Sequence, residues 1–321
     1  MHLIWTSAFA LLIATGGMLG LSLPFGKLAT EAGAPPLLWA FVISTGAGGV
    51  LLAALLLRGA RPGLDAHRLR YFFITAAVSY AAPNLITFTI MPHVGAGYAG
   101  IMYTLSPVFT LMMSILLRIR RPNRLGMAGI AIGFLGALMV TMTRGEVGQP
   151  AALVWVMLGL LVPLCLAIGN IYRSYDWPKD AGPIELAVGS HLASAAMLFV
   201  ALVATGHAGS LPMLADIPLL TVAQVAAATG MYVFFFRLQQ VGGPVYLSQI
   251  GYVAAAVGLL SGTLALGERY ALLTWLGAGV ICVGVAITTR AQRQSSGHRD
   301  TASKTGVTSA AAEGNRDRER V

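Results

Sequence analysis

The chain has 321 residues, of which 56% are hydrophobic and only 10% are charged. Soluble proteins carry about 25% charged residues, so this composition excludes an ordinary soluble enzyme and indicates a membrane protein with several spans. The formal net charge of +9 does not indicate nucleic acid as a partner. The basic residues lie in loops and at the C-terminal end, and no aromatic side chains alternate with them on a soluble surface.

Ten apolar runs have the length that crosses a bilayer, roughly 20 residues. In chain order they are Leu3–Leu23, Pro36–Leu57, Tyr71–Met91, Gly95–Leu117, Gly126–Met142, Ala151–Ile171, Pro183–Ala204, Pro218–Phe236, Val245–Leu266 and Leu272–Ile287. We expect Pro24 to end or kink the first helix, because proline lacks the backbone donor that a helix needs. Residues 291–321 are rich in Ser, Thr and charged side chains and are predicted to form a disordered cytoplasmic tail.

The distribution of basic residues predicts the orientation of these helices. If the N-terminus is cytoplasmic, 18 of the 21 Lys and Arg residues lie on the inner side, Arg173 among them. Only Lys27, Arg144 and Arg269 then lie on the outer side. Cytoplasmic loops are enriched in Lys and Arg, so both termini are expected in the cytoplasm of a plasma (bacterial inner) membrane. This orientation also requires an even number of helices.

The second half of the chain repeats the first. Val94–Arg144 and Val241–Arg290 each contain a helix, a short loop and a second helix, and each ends in Thr-Arg. We therefore predict an all-α integral membrane fold with ten transmembrane helices in two five-helix repeats, residues 1–145 and 151–290. Because five is odd, the repeats must be inverted relative to each other. Inverted repeats are typical of carriers whose substrate site lies at the repeat interface.

Three motifs in the apolar runs resemble the EamA family of the drug/metabolite transporter superfamily. They are the glycine-rich run that leads to Phe25-Gly26-Lys27, the run Ala99–Phe109 with its Leu-x-Pro element, and Leu266-Gly267-Glu268-Arg269. The resemblance covers Leu3 to Arg290 and implies a ten-helix transporter, with export as the expected direction. The chain departs from the family pattern at two points. Arginines stand at the first-repeat position that corresponds to Glu268, and the second repeat has no proline that corresponds to Pro107.

Polar side chains within the apolar runs are the candidates for substrate binding, because such groups usually face the bundle interior or an aqueous cavity. They would offer donors, acceptors and aromatic faces to a small amphipathic solute. The alternative is that they form hydrogen bonds between helices and only stabilise the packing. The candidates are Tyr80, Asn84, Thr87, Tyr103, Ser106, Asn170, His191, Tyr232, Tyr246, Gln249 and Tyr252.

His191 and Glu268 are the candidates for proton coupling. Carriers driven by protons commonly place a carboxylate within the membrane, and the predicted helices contain no central carboxylate. Facilitated exchange without a proton gradient therefore stays open as an alternative. Glu268 has a structural interpretation as well, in which it pairs with Arg269 and caps the start of the tenth helix.

Two prolines and two glycines are predicted to have structural roles. Pro24 and Pro107 interrupt the hydrogen bonding of the first and fourth helices. Gly16 and Gly20 form a G-x-x-x-G pair, which favours close helix contact either within one monomer or in a homodimer.

The sequence thus predicts a secondary active or facilitative transporter of a small metabolite or amphipathic compound that works by alternating access. Its partners would be this small-molecule substrate and the lipid bilayer. A non-transporting membrane sensor or scaffold is the alternative. An intramembrane enzyme is less favoured, because the helices contain no paired catalytic groups. No cofactor or metal is expected, since Cys165 and Cys282 lie in separate apolar runs without ligand spacing.

Overall fold

The computed structural model describes residues 7–118, 124–143, 151–284, 286–288 and 290–291. This part of the chain is helical throughout and contains no β-strand. The main helices are α1 (Ala8–Glu31), α2 (Pro36–Leu57), α3 (Ala66–Val94), α4 (Ala96–Leu116), α5 (Arg124–Thr141), α6 (Leu153–Tyr175), α7 (Pro183–Ala204), α8 (Pro218–Ser248), α9 (Ile250–Leu266) and α10 (Leu272–Thr288). A 3-10 segment, His207–Ala215, connects α7 to α8.

Seven of these helices are long and apolar enough to cross a membrane. The other three, α5, α9 and α10, are shorter apolar helices at the positions of the fifth, ninth and tenth predicted spans. An all-helical membrane protein is therefore confirmed in the described residues. The predicted tail lies outside them, apart from Ala291.

Local sequence signals determine where several helices begin. The Ser7 hydroxyl accepts a hydrogen bond from the Ala10 N–H at 3.3 Å, and Asp65 accepts one from the Arg68 N–H at 3.1 Å. Both are N-cap bonds that satisfy a donor left free by the first helical turn. Prolines open α2, α7 and α8, where their missing N–H costs no helical hydrogen bond.

The prediction that the first helix ends at Leu23, next to Pro24, was wrong. α1 continues through Pro24 and Gly26 to Glu31, eight residues further along the chain. A proline removes only one hydrogen bond from a helix, and in a membrane protein neighbouring helices stabilise the helix that contains it. Pro24 is buried against such neighbours. The extension makes Lys27 part of α1 instead of a loop.

Three helices carry local irregularities close to prolines. α3 contains a π-helical turn at Ala76–Ala81, just before Pro83, and α4 contains a 3-10 turn at Tyr103–Leu105, just before Pro107. The eighth helix was predicted to end at Phe236, but it continues to a break at Gly243, where the backbone is not helical; the segment after the break begins at Pro244, where the ninth predicted span, Val245–Leu266, begins. Each proline removes a backbone donor, and the chain responds with a wider or tighter turn at that level.

Gly243 has a counterpart in the first half of the chain. Gly95 has φ 83° and ψ 159°, and Gly243 has φ 72° and ψ −178°. This backbone region is open to glycine and strained for other residues. The helical segment after each glycine is short. It is interrupted by the 3-10 turn at Tyr103 in the first half and by a turn at Gln249 in the second.

Helices of the first half pack mainly against helices of the second half. α1 lies against α8 and α9, α2 against α7 and α8, and α4 against α9. α6 lies against α3 and α4, and α7 lies against α3 as well as α2. Each contact therefore has an equivalent when the two halves are exchanged: α1–α8 corresponds to α6–α3, α1–α9 to α6–α4, and α2–α8 to α7–α3.

Glycines allow α1 to approach α9 closely. A methyl group built on Gly16 would lie 2.8 Å from the Ile250 carbonyl oxygen, and one on Gly20 would lie 2.8 Å from the Ala254 carbonyl oxygen. Real Cβ atoms do not come this close to backbone, so the contact depends on glycine. The G-x-x-x-G pair of α1 thus packs within the monomer.

Gly16 and Gly17 form a matched pair for testing this contact, since a methyl group on Gly17 would meet nothing within 4 Å. We expect Gly16→Ala to lower the free energy of unfolding by about 1–3 kcal/mol through overpacking. Gly17→Ala should leave it unchanged or raise it by up to about 1 kcal/mol, because alanine favours helix. Thermal unfolding of the two variants in detergent measures both effects. Equal destabilisation by the two substitutions would contradict the close α1–α9 contact.

Candidate functional site

A cavity lies between α1, α2, α3, α4 and α8. The free space inside it is about 10 Å³, which is room for about one water molecule, so the cavity is nearly closed in this conformation. The lining residues are Leu19, Ser22, Leu23, Ile43, Asn84, Phe88, Tyr103, Gln224, Ala228, Met231 and Tyr232. The lining combines an apolar majority with a few amide and hydroxyl groups.

Three predicted site residues stack at one side of this cavity. The rings of Tyr80 and His191 are stacked with centroids 4.4 Å apart, and Tyr232 meets the His191 ring edge-on at 3.9 Å. All three side chains are buried. Neither ring nitrogen of His191 has a hydrogen-bond partner in the described residues, and neither does the Tyr80 hydroxyl. We call Tyr80, His191 and Tyr232 the aromatic cluster.

Three more predicted residues adjoin the cavity through α3 and α4. Asn84 lines it, and its amide nitrogen has no hydrogen-bond partner in the described residues. The hydroxyls of Thr87 and Tyr103 are hydrogen-bonded at 3.1 Å, which holds the Tyr103 ring at the cavity wall. Ser106 is buried in the next turn of α4 and is not among the lining residues.

The other predicted residues lie away from the cavity. Tyr246, Gln249 and Tyr252 are buried at the junction of α8 and α9 and do not line it. Tyr252 instead packs against α5, where a methyl group on Gly133 would lie 2.8 Å from its hydroxyl. Asn170 belongs to a separate cluster around Arg173, described below.

Gln224 is a cavity residue that the sequence analysis missed. It lies on α8 two turns before Tyr232, is fully buried, and neither polar atom of its amide has a hydrogen-bond partner in the described residues. The sequence could have identified it, because Gln224 is a polar residue in an apolar run and lies on the same helical face as Ala228 and Tyr232. A buried amide without a partner costs free energy, so it is a natural contact for a bound solute.

Arg173 was predicted to be a basic residue of a cytoplasmic loop, and this was wrong. It is fully buried within α6. Its guanidinium donates to Asn170 Oδ1 at 2.6 Å, to Gln239 Oε1 at 3.2 Å and to the Ser79 hydroxyl, and it lies 4.8 Å from the Phe235 ring centroid. None of the ion pairs found in the described residues includes Arg173. A charged group is thus buried among neutral partners.

Glu268 joins both halves of the chain at one end of the bundle. Its carboxylate is 2.6 Å from Lys27 Nζ, and it accepts the backbone N–H groups of Ala96 at 2.8 Å and Gly97 at 3.2 Å. The Tyr270 hydroxyl also donates to it. Ala96 and Gly97 begin α4, so Glu268 caps α4 and not α10, the helix suggested by the sequence. We call these residues the Glu268 cluster.

The Glu268 carboxylate stays ionised in this arrangement. Burial alone raises its pKa, but the hydrogen bonds from Lys27, Tyr270 and the Ala96 N–H outweigh that effect, and the pKa lies below its ordinary value. A carboxylate at a helix N-terminus is also favoured by the helix dipole.

Asp176 forms a corresponding cluster at the opposite end of α3. Arg70 Nη2 lies 2.9 Å from Asp176 Oδ1, His67 Nε2 lies 3.0 Å from the same oxygen, and the Tyr172 hydroxyl donates to Oδ2 at 2.7 Å. The Asp176 cluster therefore links the start of α3 to the end of α6. Partial burial raises the pKa of Asp176, but the bonds from Tyr172, His67 and Arg70 outweigh it and hold the pKa below its ordinary value.

The two halves of the chain each match one family. The EamA-like transporter family matches residues 6–142 and again residues 153–290. The chain belongs to the EamA-like transporter family. This family consists of transporters and not of enzymes, so the chain is a membrane transporter. The described residues contain no group of three or more His, Cys, Asp or Glu side chains that could hold a metal ion.

Curated relatives and a solved structure are similar to this EamA-like transporter over most of its length. The "Uncharacterized inner membrane transporter YedA" of Escherichia coli (strain K12) is 29% identical over 79% of this chain and 82% of that protein. The "Probable amino-acid metabolite efflux pump" of the same strain is 26% identical over 70% of this chain and 74% of that protein. The resemblance to YedA supports an integral inner-membrane location.

A solved structure described as "Crystal structure of protein" shares the fold. It superposes with a TM-score of 0.64 at 19% sequence identity, covering 88% of this chain and 98% of that one. At this identity the match bears on the fold alone.

Removing the Glu268 charge should destabilise the transporter because it leaves Lys27, whose side chain is only 14% exposed, without its carboxylate. We expect Glu268→Gln to cost about 3 kcal/mol of unfolding free energy. In a double-mutant cycle in detergent, Lys27→Met should cost much less when Glu268→Gln is already present, with a coupling of about 1–3 kcal/mol. Additive effects of the two substitutions would contradict the ion pair.

The Asp176 cluster should lose its contribution only in acid. A carboxyl whose pKa is lowered on folding stabilises the fold above its unfolded pKa of about 3.9, and this stabilisation is lost as the pH falls through the lowered value. We therefore expect the difference in melting temperature between wild type and Asp176→Asn to persist at pH 5 and to shrink below about pH 4. Thermal unfolding across this range measures it. A difference that has already shrunk at pH 6 would contradict the lowered pKa.

Proposed function

We propose that this EamA-like protein moves a small amphipathic metabolite across the inner membrane by alternating access, with export as the direction. In this proposal ten helices span the membrane as two inverted repeats, residues 1–145 and 151–290, and both termini are cytoplasmic. The cavity between α1, α2, α3, α4 and α8 is the substrate site.

The helix contacts support the inverted repeat. The contacts between the halves keep the same pattern when the halves are exchanged, and Gly95 and Gly243 make the same positive-φ turn before α4 and before the segment that leads into α9. A carrier built from two such halves can reverse its opening by exchanging their conformations.

The observation that carries the proposal is that contacts between the two halves close the bundle at both ends of α3. At one end Arg70 and His67 of α3 bind Asp176 at the end of α6. At the other end Lys27 of α1 binds Glu268 after α9. Alternating access requires contacts of this kind, because each end must separate and re-form without breaking either half.

The chemistry of the cavity supports a small amphipathic substrate. Its wall is mostly apolar, and the amides of Asn84 and Gln224 and the rings of Tyr103 and Tyr232 provide its polar and aromatic groups. No Asp, Glu, Lys or Arg side chain lines the cavity in the described residues. The relative named as a probable amino-acid metabolite efflux pump supports a small metabolite as the substrate. Asn84, Thr87, Tyr103, Gln224 and Tyr232, together with Tyr80 and His191, are the binding residues in this proposal.

The coupling mechanism follows from the state of Glu268. In the described conformation Glu268 is ionised and paired with Lys27. Glu268 can therefore couple transport to protons only in a conformation in which the Glu268 cluster is open. The His191 ring packs against the rings of Tyr80 and Tyr232, neither of which carries a carboxylate. We propose uniport or exchange as the basal mode, with Glu268 as the position at which a proton requirement would arise.

A matched pair of glutamines tests the site. Gln224 lies in the cavity, whereas Gln240 on the same helix is exposed. We expect Gln224→Leu to lower solute flux into proteoliposomes about tenfold, the equivalent of one hydrogen bond to the solute. Its melting temperature should not fall, since the buried amide has no protein partner to lose. Gln240→Leu should leave flux unchanged.

The flux assay uses labelled amino acids and small amphipathic metabolites, each with and without a pH gradient. Flux that needs no gradient supports uniport or exchange, and flux that requires one would overturn that basal mode and direct attention to Glu268. Equal flux in the Gln224 and Gln240 variants would overturn the site. No flux of any compound through folded, inserted protein would contradict transport of this class and favour a membrane sensor.

A further inference from the structure

The internal repeat explains why Arg173 has no carboxylate partner. Lys27 lies nine residues before Pro36, which opens α2, and Arg173 lies ten residues before Pro183, which opens α7. The two cations thus lie in the same turn near the ends of α1 and α6, one position apart in the repeat. Lys27 is paired with Glu268. Val94 and Val241 begin the corresponding parts of the two repeats, and Glu268 lies 27 residues after Val241. The residue 27 positions after Val94 is Arg121, so the first half supplies no equivalent carboxylate to Arg173.

Neutral groups replace that carboxylate in the described conformation. Asn170, Gln239 and Ser79 accept hydrogen bonds from the guanidinium, and the Phe235 ring lies against it. Asp176, the acidic residue three positions further on, is bound by Arg70 and His67 instead. Neutral dipoles satisfy the N–H donors of an arginine but leave its charge uncompensated, which is costly at membrane depth.

The position of Arg173 relates it to the cavity. Phe235, which lies against the guanidinium, packs edge-on against Tyr232 with ring centroids 5.8 Å apart, and Tyr232 lines the cavity. Arg173 therefore lies one aromatic layer from the cavity. It bridges α3, α6 and α8, and the Asp176 cluster closes this same end of the bundle between α3 and α6.

We propose, on the basis of the function proposed above, that Arg173 recognises the carboxylate of a monoanionic substrate. When the Asp176 cluster opens, the aromatic layer separates and the guanidinium forms a bidentate pair with that carboxylate. Its single positive charge suits one carboxylate and not a phosphate dianion. The substrate class is a small carboxylic or amino acid with an apolar body.

A built-in carboxylate provides the direct test. Asn170 Oδ1 already lies 2.6 Å from Arg173 Nη2, so Asn170→Asp places a carboxylate on the guanidinium without a change of shape. We expect this variant to raise the melting temperature in detergent by about 2 °C or more. It should also lower amino-acid flux at least tenfold, because the internal carboxylate competes with the substrate. The matched control is Asn84→Asp, which buries the same charge in the cavity and should lower the melting temperature.

The transport assay uses labelled L-amino acids, phosphoserine, and the carboxamides of the two amino acids that are transported fastest. The proposal expects each carboxamide to move at least tenfold more slowly than its acid, and Arg173→Met to abolish that difference. Carboxamides carried as fast as the acids, or preferred transport of phosphoserine, would overturn the proposal and leave transport established. A fall in melting temperature for Asn170→Asp like that for Asn84→Asp would overturn it as well. If no compound moves, the proposed function fails, and the proposal fails with it.

Discussion

The fold depends on how few charges it buries and on how each one is compensated. Glu268 receives one ammonium group, two backbone N–H groups and one phenol, which come from α1, the start of α4 and the loop that contains Glu268 itself. A carboxylate in a poorly hydrated site requires such partners, and the partners here lie in both halves of the chain. The position of α4 against α1 and α9 is therefore tied to one ionised group.

The opposite end shows the same principle with a different outcome. Asp176 is fully compensated by Arg70, His67 and Tyr172, but it is partly exposed, so its bonds are individually weak and can open. Arg173, one turn deeper, has donors satisfied by neutral groups and a charge that no carboxylate in the described residues balances. The helix contacts are the same when the halves are exchanged, but the charges are not. A carboxylate balances Lys27, and none balances Arg173 in the described residues. A carrier needs both the matching contacts and the unequal charges, since the conformations must interconvert while the substrate binds with a defined orientation.

Much of the fold could be predicted from the sequence because apolar runs of membrane length have one dominant interpretation. The clear error occurred at Pro24, where neighbouring helices decide whether a breaker ends a helix or is tolerated within it. The cavity residues Asn84 and Tyr232 were predictable as polar groups in apolar runs, and Gln224 could have been found in the same way. Arg173 could not, because its burial depends on Ser79 and Gln239, which are distant in the chain, and a count of basic residues assigns any arginine near a helix end to a loop. The partners of Glu268 were equally hidden, since Lys27 lies 241 residues away.

The central claim is that the Glu268 cluster and the Asp176 cluster open alternately around one cavity. Distances between spin labels on exposed positions test it most directly, with one pair at Glu31 and Leu272 and a second at Arg61 and Lys179, in protein whose two native cysteines are replaced. The account predicts that Asp176→Asn widens the distance distribution of the second pair and leaves the first pair close. Glu268→Gln should have the reverse effect. Widening of both pairs together in either variant would contradict alternating access.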